Sequence, residues 1–454
     1  MTASIGGLIS GLDTNSLITQ LLRAEAVPQA ALKTRLSIAK ATAEAYRSVN
    51  TRFDAVRTAA EAMLKPEAWS AVKATSSASS VAASATAGAP TGSLTFDVKN
   101  TAAAHSVVSG INWTATTDPY GMTSPIEVRA ADGSVKGTIT VGGSGTLADA
   151  VQAINDSEFG LSATAVKVAD GQYRLQVTSE TSGAATSFDL GTAGTFAVAT
   201  QGVDATLTVG SGTGAYDVTS STNTFADLMS GVTITVSKPE TAVTVEVAAD
   251  PGAVVSKMQA LVDAANQALS GIKTNTDPDG GAAATLKGDS ALRALAGRVL
   301  EAVSFAVGAD GSPATIGLQL TKDGTIAFDA AKFSAALADD PALAQRLGAG
   351  GPAGPGPDGV SGNADDVVPG VAQRLLDAAK AASDTTIGTL TLLAEGRDDL
   401  AGDLQDKIEA WDVRLIARRT ALTRQFTAME TALSGLQSQS SWLAGQLNSL
   451  PSWS

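Results

Sequence analysis

Apolar positions recur at helical spacing near both ends of the chain and alternate through its middle. From Asp13 to about Lys65 the pattern is helical: Leu17, Ile18, Leu21 and Leu22 share one face, and Asp13 is placed to cap the first turn. Pro28 is expected to end or kink that helix. A second stretch carries Ala39, Tyr46, Phe53 and Ala60 seven apart, with Val49, Val56 and Met63 at the complementary heptad positions, which predicts a long amphipathic helix. At the other end Ile408, Leu415, Leu422, Met429, Leu436, Leu443 and Leu450 form an unbroken heptad repeat flanked by Leu404, Trp411, Phe426, Leu433 and Leu447. Such a repeat predicts one seam of a coiled coil or long packed helix, about 60 Å long at ~1.5 Å per residue.

Composition changes after Trp69, where the low-bulk stretch Thr75 to Ala89 marks a domain boundary. Alternation follows at Leu94, Phe96 and Val98; Tyr173, Leu175 and Val177; Leu207 and Val209; Val232, Ile234 and Val236; and Val243, Val245 and Val247. These segments read as half-buried antiparallel strands. One short helix interrupts them between Gly142 and Asn155, with Thr146 and Asp149 spaced as a capping box. Helical sequence resumes at Pro251, with Met258, Leu261, Val262 and Leu269 on one face, and again from Leu292 to Val303. The glycine and proline-rich run from Gly348 to Gly370 is expected to be an exposed, mobile loop. The fold class is therefore α+β and multi-domain, with long helical termini around an antiparallel β-rich middle.

A length of 454 residues has room for about two to four domains. The 45 acidic and 31 basic residues give a net charge of −14, and only six Lys and Arg (Lys99, Arg129, Lys136, Lys167, Arg174, Lys238) fall between Ala74 and Ser256. A nucleic-acid groove needs a concentrated basic face, and this middle has none. The absence of cysteine excludes disulfides, cysteine-ligated zinc and thiol catalysis. Because the first basic residue is Arg23, a charged signal-peptide n-region is missing, and Ile5 to Leu12 is too short for a membrane span, so secretion would need another route.

The polar faces of the terminal helices are unusual. After Arg424 the one charged side chain is Glu430, and before Arg23 it is Asp13. Solvated helices ordinarily carry Lys, Glu and Arg outward, whereas these use Ser, Thr, Gln, Asn and Gly, groups that can be satisfied across a close interface. The ends look built to be surrounded, either by neighbouring subunits or by an intramolecular hairpin.

Ser10, Gly11, Leu12 and Asp13, followed by Asn15, Leu17, Leu21, Glu25 and Pro28, resemble the N-terminal signature of the flagellar filament cap protein family. Phe426, Met429, Glu430, Leu433, Ser440, Ser441, Leu443 and Leu447 are similar to that family's closing helix. Asn223 and Thr224 with Gly231, Val232 and Thr233, and Gly317 and Leu318 with Asp323, Gly324, Thr325 and Asp329, resemble internal family stretches, and Thr146 to Ser182 resembles a small repeat of flagellar axial proteins. The resemblance implies export through the flagellar secretion apparatus, an extracellular place at the filament tip, a ring of copies of the chain (commonly a homopentamer), and assistance to flagellin folding and polymerisation. It implies hook-filament junction proteins and an export chaperone as further partners, with no cofactor, nucleic acid or membrane span. It also implies an assembly interface at Leu12, Asp13, Leu17, Leu21, Leu422, Phe426, Met429, Leu433, Leu436, Leu443 and Leu447. The corresponding division is 1–37 with 396–454 as a coiled-coil leg, 38–75 with 251–395 as a mixed, mainly helical domain, 76–117 with 200–250 as a β-rich domain, and 118–199 as an inserted outer β-rich domain.

Motifs for chemistry are weak. Gly143, Ser144, Gly145, Thr146, Leu147 and Ala148 superficially fit a dinucleotide fingerprint, but antiparallel strands follow where a βαβ unit is required. Asp358, Asp365 and Asp366 miss the order of an EF-hand loop, and His105, the one histidine, has no neighbours suggesting a relay. No catalytic set is recognisable, so an enzyme is not expected. The alternatives are an exported adhesin binding through its β domains, a hydrolase of cell-wall polymers, and another flagellar axial or junction protein; the uncharged ends and Ser10 to Asp13 favour the cap.

Overall fold

The structure is a computed structural model and describes residues 13–192, 194–281, 284–352 and 367–448. The chain divides into two compact units, Met1–Leu64 with Val255–Ser454, and Lys65–Val254.

The first unit is mainly helical: α1 (Thr14–Glu25), α2 (Val27–Leu64), most of α5 (Pro251–Thr276), α6 (Ser290–Ser304), α7 (Ala330–Asp339), α8 (Pro341–Gly348), α9 (Val371–Ser383) and α10 (Thr389–Asn448). The break between α1 and α2 falls at Ala26, so Pro28 does not end a helix. It sits in the first turn of α2, where an amide hydrogen would have no intrahelical partner to lose. Both heptad rows of α2 are buried, from Ala39 and Tyr46 to Ala60 and Met63. The Tyr46 hydroxyl donates to Asp289 Oδ2 at 2.6 Å, and burial, assisted by that bond, pushes its pKa up to about 12. Met258, Leu261, Val262 and Leu269 of α5 are buried as their spacing predicts.

The Gly348 to Gly370 run differs from expectation at its ends. Gly350–Pro352 and Val367–Pro369 pair antiparallel as a two-stranded ladder, and a Cβ on Gly370 would lie 2.3 Å from the Gly350 nitrogen. Glycine is needed there for close backbone approach. Asp358, Asp365 and Asp366 lie outside the described residues.

Among its described residues the second unit holds α3 (Pro66–Trp69), α4 (Leu147–Asn155) and fifteen strands, which with the small hairpins of the first unit are numbered in chain order. One set is β1 (Val72–Ser76), β2 (Val81–Ala85), β3 (Gly92–Asn100), β11 (Ala205–Val209), β12 (Tyr216–Ser220), β13 (Thr224–Met229), β14 (Val232–Val236) and β15 (Glu240–Ala249). These form a five-stranded sheet, β1-β15-β3-β11-β12, and a three-stranded sheet, β13-β14-β2, around Phe96, Leu207, Ile234 and Val245. The stretch Thr75 to Ala89, expected to mark a domain boundary, contributes the end of β1 and all of β2, and the unit begins before it at Lys65.

The other set is β4 (Ala104–Ser109), β5 (Ile126–Ala130), β6 (Val135–Ile139), β7 (Leu161–Ala169), β8 (Gln172–Ser182), β9 (Phe188–Leu190) and β10 (Phe196–Thr200). Sheets β10-β4-β8-β7 and β6-β5-β9 enclose a core of Ile126, Leu147, Ile154, Leu175 and Leu190, with α4 supplying two of these. Val107 and Trp113 belong to this second core, so the boundary expected at 117/118 falls inside it. His105, Ser106 and Val107 are all buried in succession, and β4 consequently shows no alternation to read. Every strand pair in the unit is antiparallel.

The capping box of α4 is formed: Thr146 N–H donates to Asp149 Oδ2 at 3.0 Å and Asp149 N–H to Thr146 Oγ1 at 3.2 Å. A carboxylate thus already occupies the helix start where the glycine-rich motif would have to seat a phosphate.

Among its described residues the first unit also holds two short hairpins, β16 (Leu318–Leu320) with β17 (Ile326–Phe328), and β18 (Gly350–Pro352) with β19 (Val367–Pro369).

Candidate assembly interface

The terminal elements α1, α2 and α10 meet in the helical unit. Asp13 caps α1 by accepting from Ser16 N–H at 2.9 Å, as its position predicts. Ile18 is the buried apolar residue of α1, while Leu17 and Leu21 on the adjoining face are exposed. Glu25 Oε1 accepts from Arg418 Nε at 2.9 Å, a half-exposed ion pair that sets register more than stability.

On α2, Leu32, Leu36 and Ala39 pack with Ala401 and Leu404 of α10. Gln29, a polar residue that sequence pattern gives no reason to single out, is buried there. Its Nε2 donates to Asp412 Oδ1 at 2.6 Å and to the Ile408 carbonyl at 3.3 Å. Arg47 of α2 pairs with Asp398 of α10. Between α1 and α10 lies a cleft of about 320 Å³, walled by Leu22, Leu415 and Ile416 and rimmed by Arg23, Asp412 and Arg419.

The heptad seam of α10 changes character along its length. Ile408 is 4% exposed and Leu422 6%, whereas Met429 is 36%, Leu436 61% and Leu443 56% exposed. Phe426 and Leu433 are half-buried, and Trp442, not among the expected interface residues, is 65% exposed. Leu12 lies outside the described residues; Leu447 lies within α10, but its side chain is outside them. The structure therefore places Asp13 and Leu422 in contacts within the chain and leaves Leu17, Leu21, Met429, Leu436 and Leu443 facing solvent.

Among the described residues no group of three or more His, Asp or Glu could hold a metal ion, and no helix is long and apolar enough to cross a membrane. Terminal helices packed together, one of them 60 residues long, joined to a unit of two antiparallel β cores, define a multi-domain α+β protein with helical ends.

Comparison with known proteins gives the family. Residues 10–105 match the family model for the flagellar hook-associated protein 2 N-terminus, and residues 202–438 match that for its C-terminus. The chain is 27% identical to the A-type flagellar hook-associated protein 2 of Pseudomonas aeruginosa over 489 aligned positions, covering 99% of this chain and 98% of that one. It is 28% identical over 191 residues to flagellar hook-associated protein 2 of Escherichia coli K12, 41% of each chain. Its fold matches the D1-D2-D3 domains of the Escherichia coli flagellar cap protein FliD with a TM-score of 0.58 at 22% identity, covering 78% of this chain and 99% of that one. The chain belongs to the flagellar hook-associated protein 2 family, the flagellar cap proteins.

Proposed function

We propose that this protein caps the tip of the flagellar filament outside the cell, where it retains exported flagellin and promotes its folding and polymerisation. It acts as a ring of copies of itself, a homopentamer, and contacts flagellin and the hook-filament junction proteins. An export chaperone holds it before secretion. The observation that carries this reading is the seam of α10, which continues in sequence past Leu422 but emerges into solvent at Met429, Leu436 and Leu443, on the stretch beyond Arg424 whose one charged side chain is Glu430. An apolar stripe with an uncharged polar back suits a site enclosed on several sides by other helices. Leu12, Asp13, Leu17, Leu21, Phe426, Leu433 and Leu447 complete the proposed interface with Leu422 at its inner end. In domain terms, 1–37 with 396–454 form the attachment leg, 38–75 with 251–395 the helical body, and the β cores the remainder.

The test is the double substitution Met429→Asp with Leu436→Asp. Charge entering a closed apolar interface costs several kcal/mol, about enough to abolish attachment. At equal export of the variant and parent, flagellin should move from sheared filaments into the culture supernatant, with filaments short or absent. Normal filaments without excess monomer would show that the seam is not the attachment element, and would favour an adhesin acting through the β cores.

A further inference from the structure

The two β cores are joined by two crossings of the chain, outward at Asn100 to His105 and back at Gly202 to Ala205, and both crossings are tied. Ala103 and Val203 exchange backbone hydrogen bonds, Ala103 N–H to the Val203 carbonyl at 3.0 Å and Val203 N–H to the Ala103 carbonyl at 3.2 Å. Asn223 brackets Ala102, accepting from its N–H at 2.7 Å and donating to its carbonyl at 3.3 Å. From the second core, the turn after β8 reaches back to the first: Ala184 N–H donates to Asp204 Oδ1 at 2.7 Å and Ser182 Oγ to the Ser221 carbonyl at 2.8 Å.

Beneath these ties sits His105. Its backbone N–H donates to Ser179 Oγ at 3.0 Å, and its ring stands perpendicular to that of Phe188, with centroids 5.1 Å apart. The Nδ1 atom accepts from Gly202 N–H at 3.2 Å, which assigns the ring proton to Nε2. That Nε2 is buried without a described hydrogen-bond partner. A ring that leaves one nitrogen unsatisfied is a poor choice for filling space, so the bond at Nδ1 is the reason for the residue. Gly202 is matched to it: a Cβ there would lie 2.8 Å from the Gly183 carbonyl oxygen and 3.0 Å from His105 Cβ.

We infer that His105 is a latch: by holding the returning strand at Gly202 against the outgoing strand, it makes the two β cores one rigid body. Without it the crossings keep the Ala103–Val203 pair and the contacts of Asn223, Asp204 and Ser221 but lose the bond nearest the second core, and that core can reorient while both cores stay folded. The inference is independent of where the protein acts.

The chain has no cysteine, so spin labels can be placed on the full-length protein through Thr164→Cys on β7 and Thr219→Cys on β12, both exposed and on different cores. Pulsed dipolar spectroscopy of the parent should give a single narrow distance peak. His105→Leu should lose that peak to a broad distribution while the protein still melts cooperatively with unchanged strand content. His105→Gln moves the acceptor away from Gly202 and should behave like Leu, whereas His105→Asn keeps an acceptor near the Nδ1 position and should restore the narrow peak. A broad parent distribution, a narrow peak retained in His105→Leu, or failure of His105→Asn to restore it would each overturn the latch. Loss of folding in both Leu and Gln variants would also overturn it, because the residue would then support folding itself rather than orientation.

Discussion

The two halves of α10 share one heptad and differ in what covers it. Up to Leu422 the seam lies against the chain's own helices, with Ala401, Leu404, Ile408 and Leu422 all buried. Beyond it Met429, Leu436 and Leu443 keep the same seven-residue spacing and face solvent. The near half is also rich in charge, including Asp398, Arg414, Arg418 and Arg419, while the far half has Arg424 and Glu430 alone. Periodicity therefore specifies which face of a helix is apolar but not whose surface completes it, and the polar composition changes near the point where the burial does.

Truncating the seam separates the halves most strongly. Leu404→Ala should destabilise the purified protein by about 2–5 kcal/mol in denaturant melts, as for other buried leucines. Leu443→Ala should change it by less than about 0.5 kcal/mol, because the side chain is already exposed. Equal losses would erase the distinction. A smaller effect is expected at Gln29. Gln29→Ala leaves the Asp412 carboxylate without that donor, and should cost about 1–2 kcal/mol in the same assay.

The weakest effect depends on pH and lies just before the near half. Asp384 precedes α10, and the N–H groups of Ile387 and Thr386, which donate to Oδ1 at 3.0 and 2.8 Å, hold its carboxyl below the ordinary value of 3.8. A carboxyl depressed on folding contributes stability above its unfolded value and loses it as pH falls through the folded one. The loss therefore begins near 3.8 and continues below it. Asp384→Asn should lower the melting temperature at neutral pH and flatten its fall between about pH 5 and 2. A slope as steep as that of the parent would remove Asp384 from the account.

Much of this was legible in sequence where side chains are large and faces are one-sided. Tyr46, Phe53 and Met63 on α2, the alternation of Val232, Ile234 and Val236, and the Thr146–Asp149 box all appear where their spacing put them. What escaped was carried by small or uniformly buried residues. In β1 and β2 the inward positions include Ala74, Ser76, Ala83 and Ala85, whose side chains give too little contrast to mark a strand in a Ser and Ala-rich stretch. The consecutive burial in β4 hid the edge of the second β core. At the interface the apolar row was readable, but Gln29 was not: a buried amide announces itself only once Asp412 and Ile408 are seen beside it. The burial of the seam up to Leu422 comes from other helices of the chain, which the spacing within α10 does not encode.

On the proposed function the far half of α10 is covered by other subunits when the protein is at work. Since the chain lacks cysteine, Leu436→Cys, Leu443→Cys and Ile408→Cys each introduce a single thiol. A short bis-maleimide applied to intact filaments carrying each variant, beside flagellin given a surface cysteine, reports which positions approach another chain. The account predicts adducts to a second copy or to flagellin at Leu436→Cys and Leu443→Cys, and none at Ile408→Cys, which is closed within its own chain. Absence of adducts at the two outer positions, or equal adducts at all three, would contradict it.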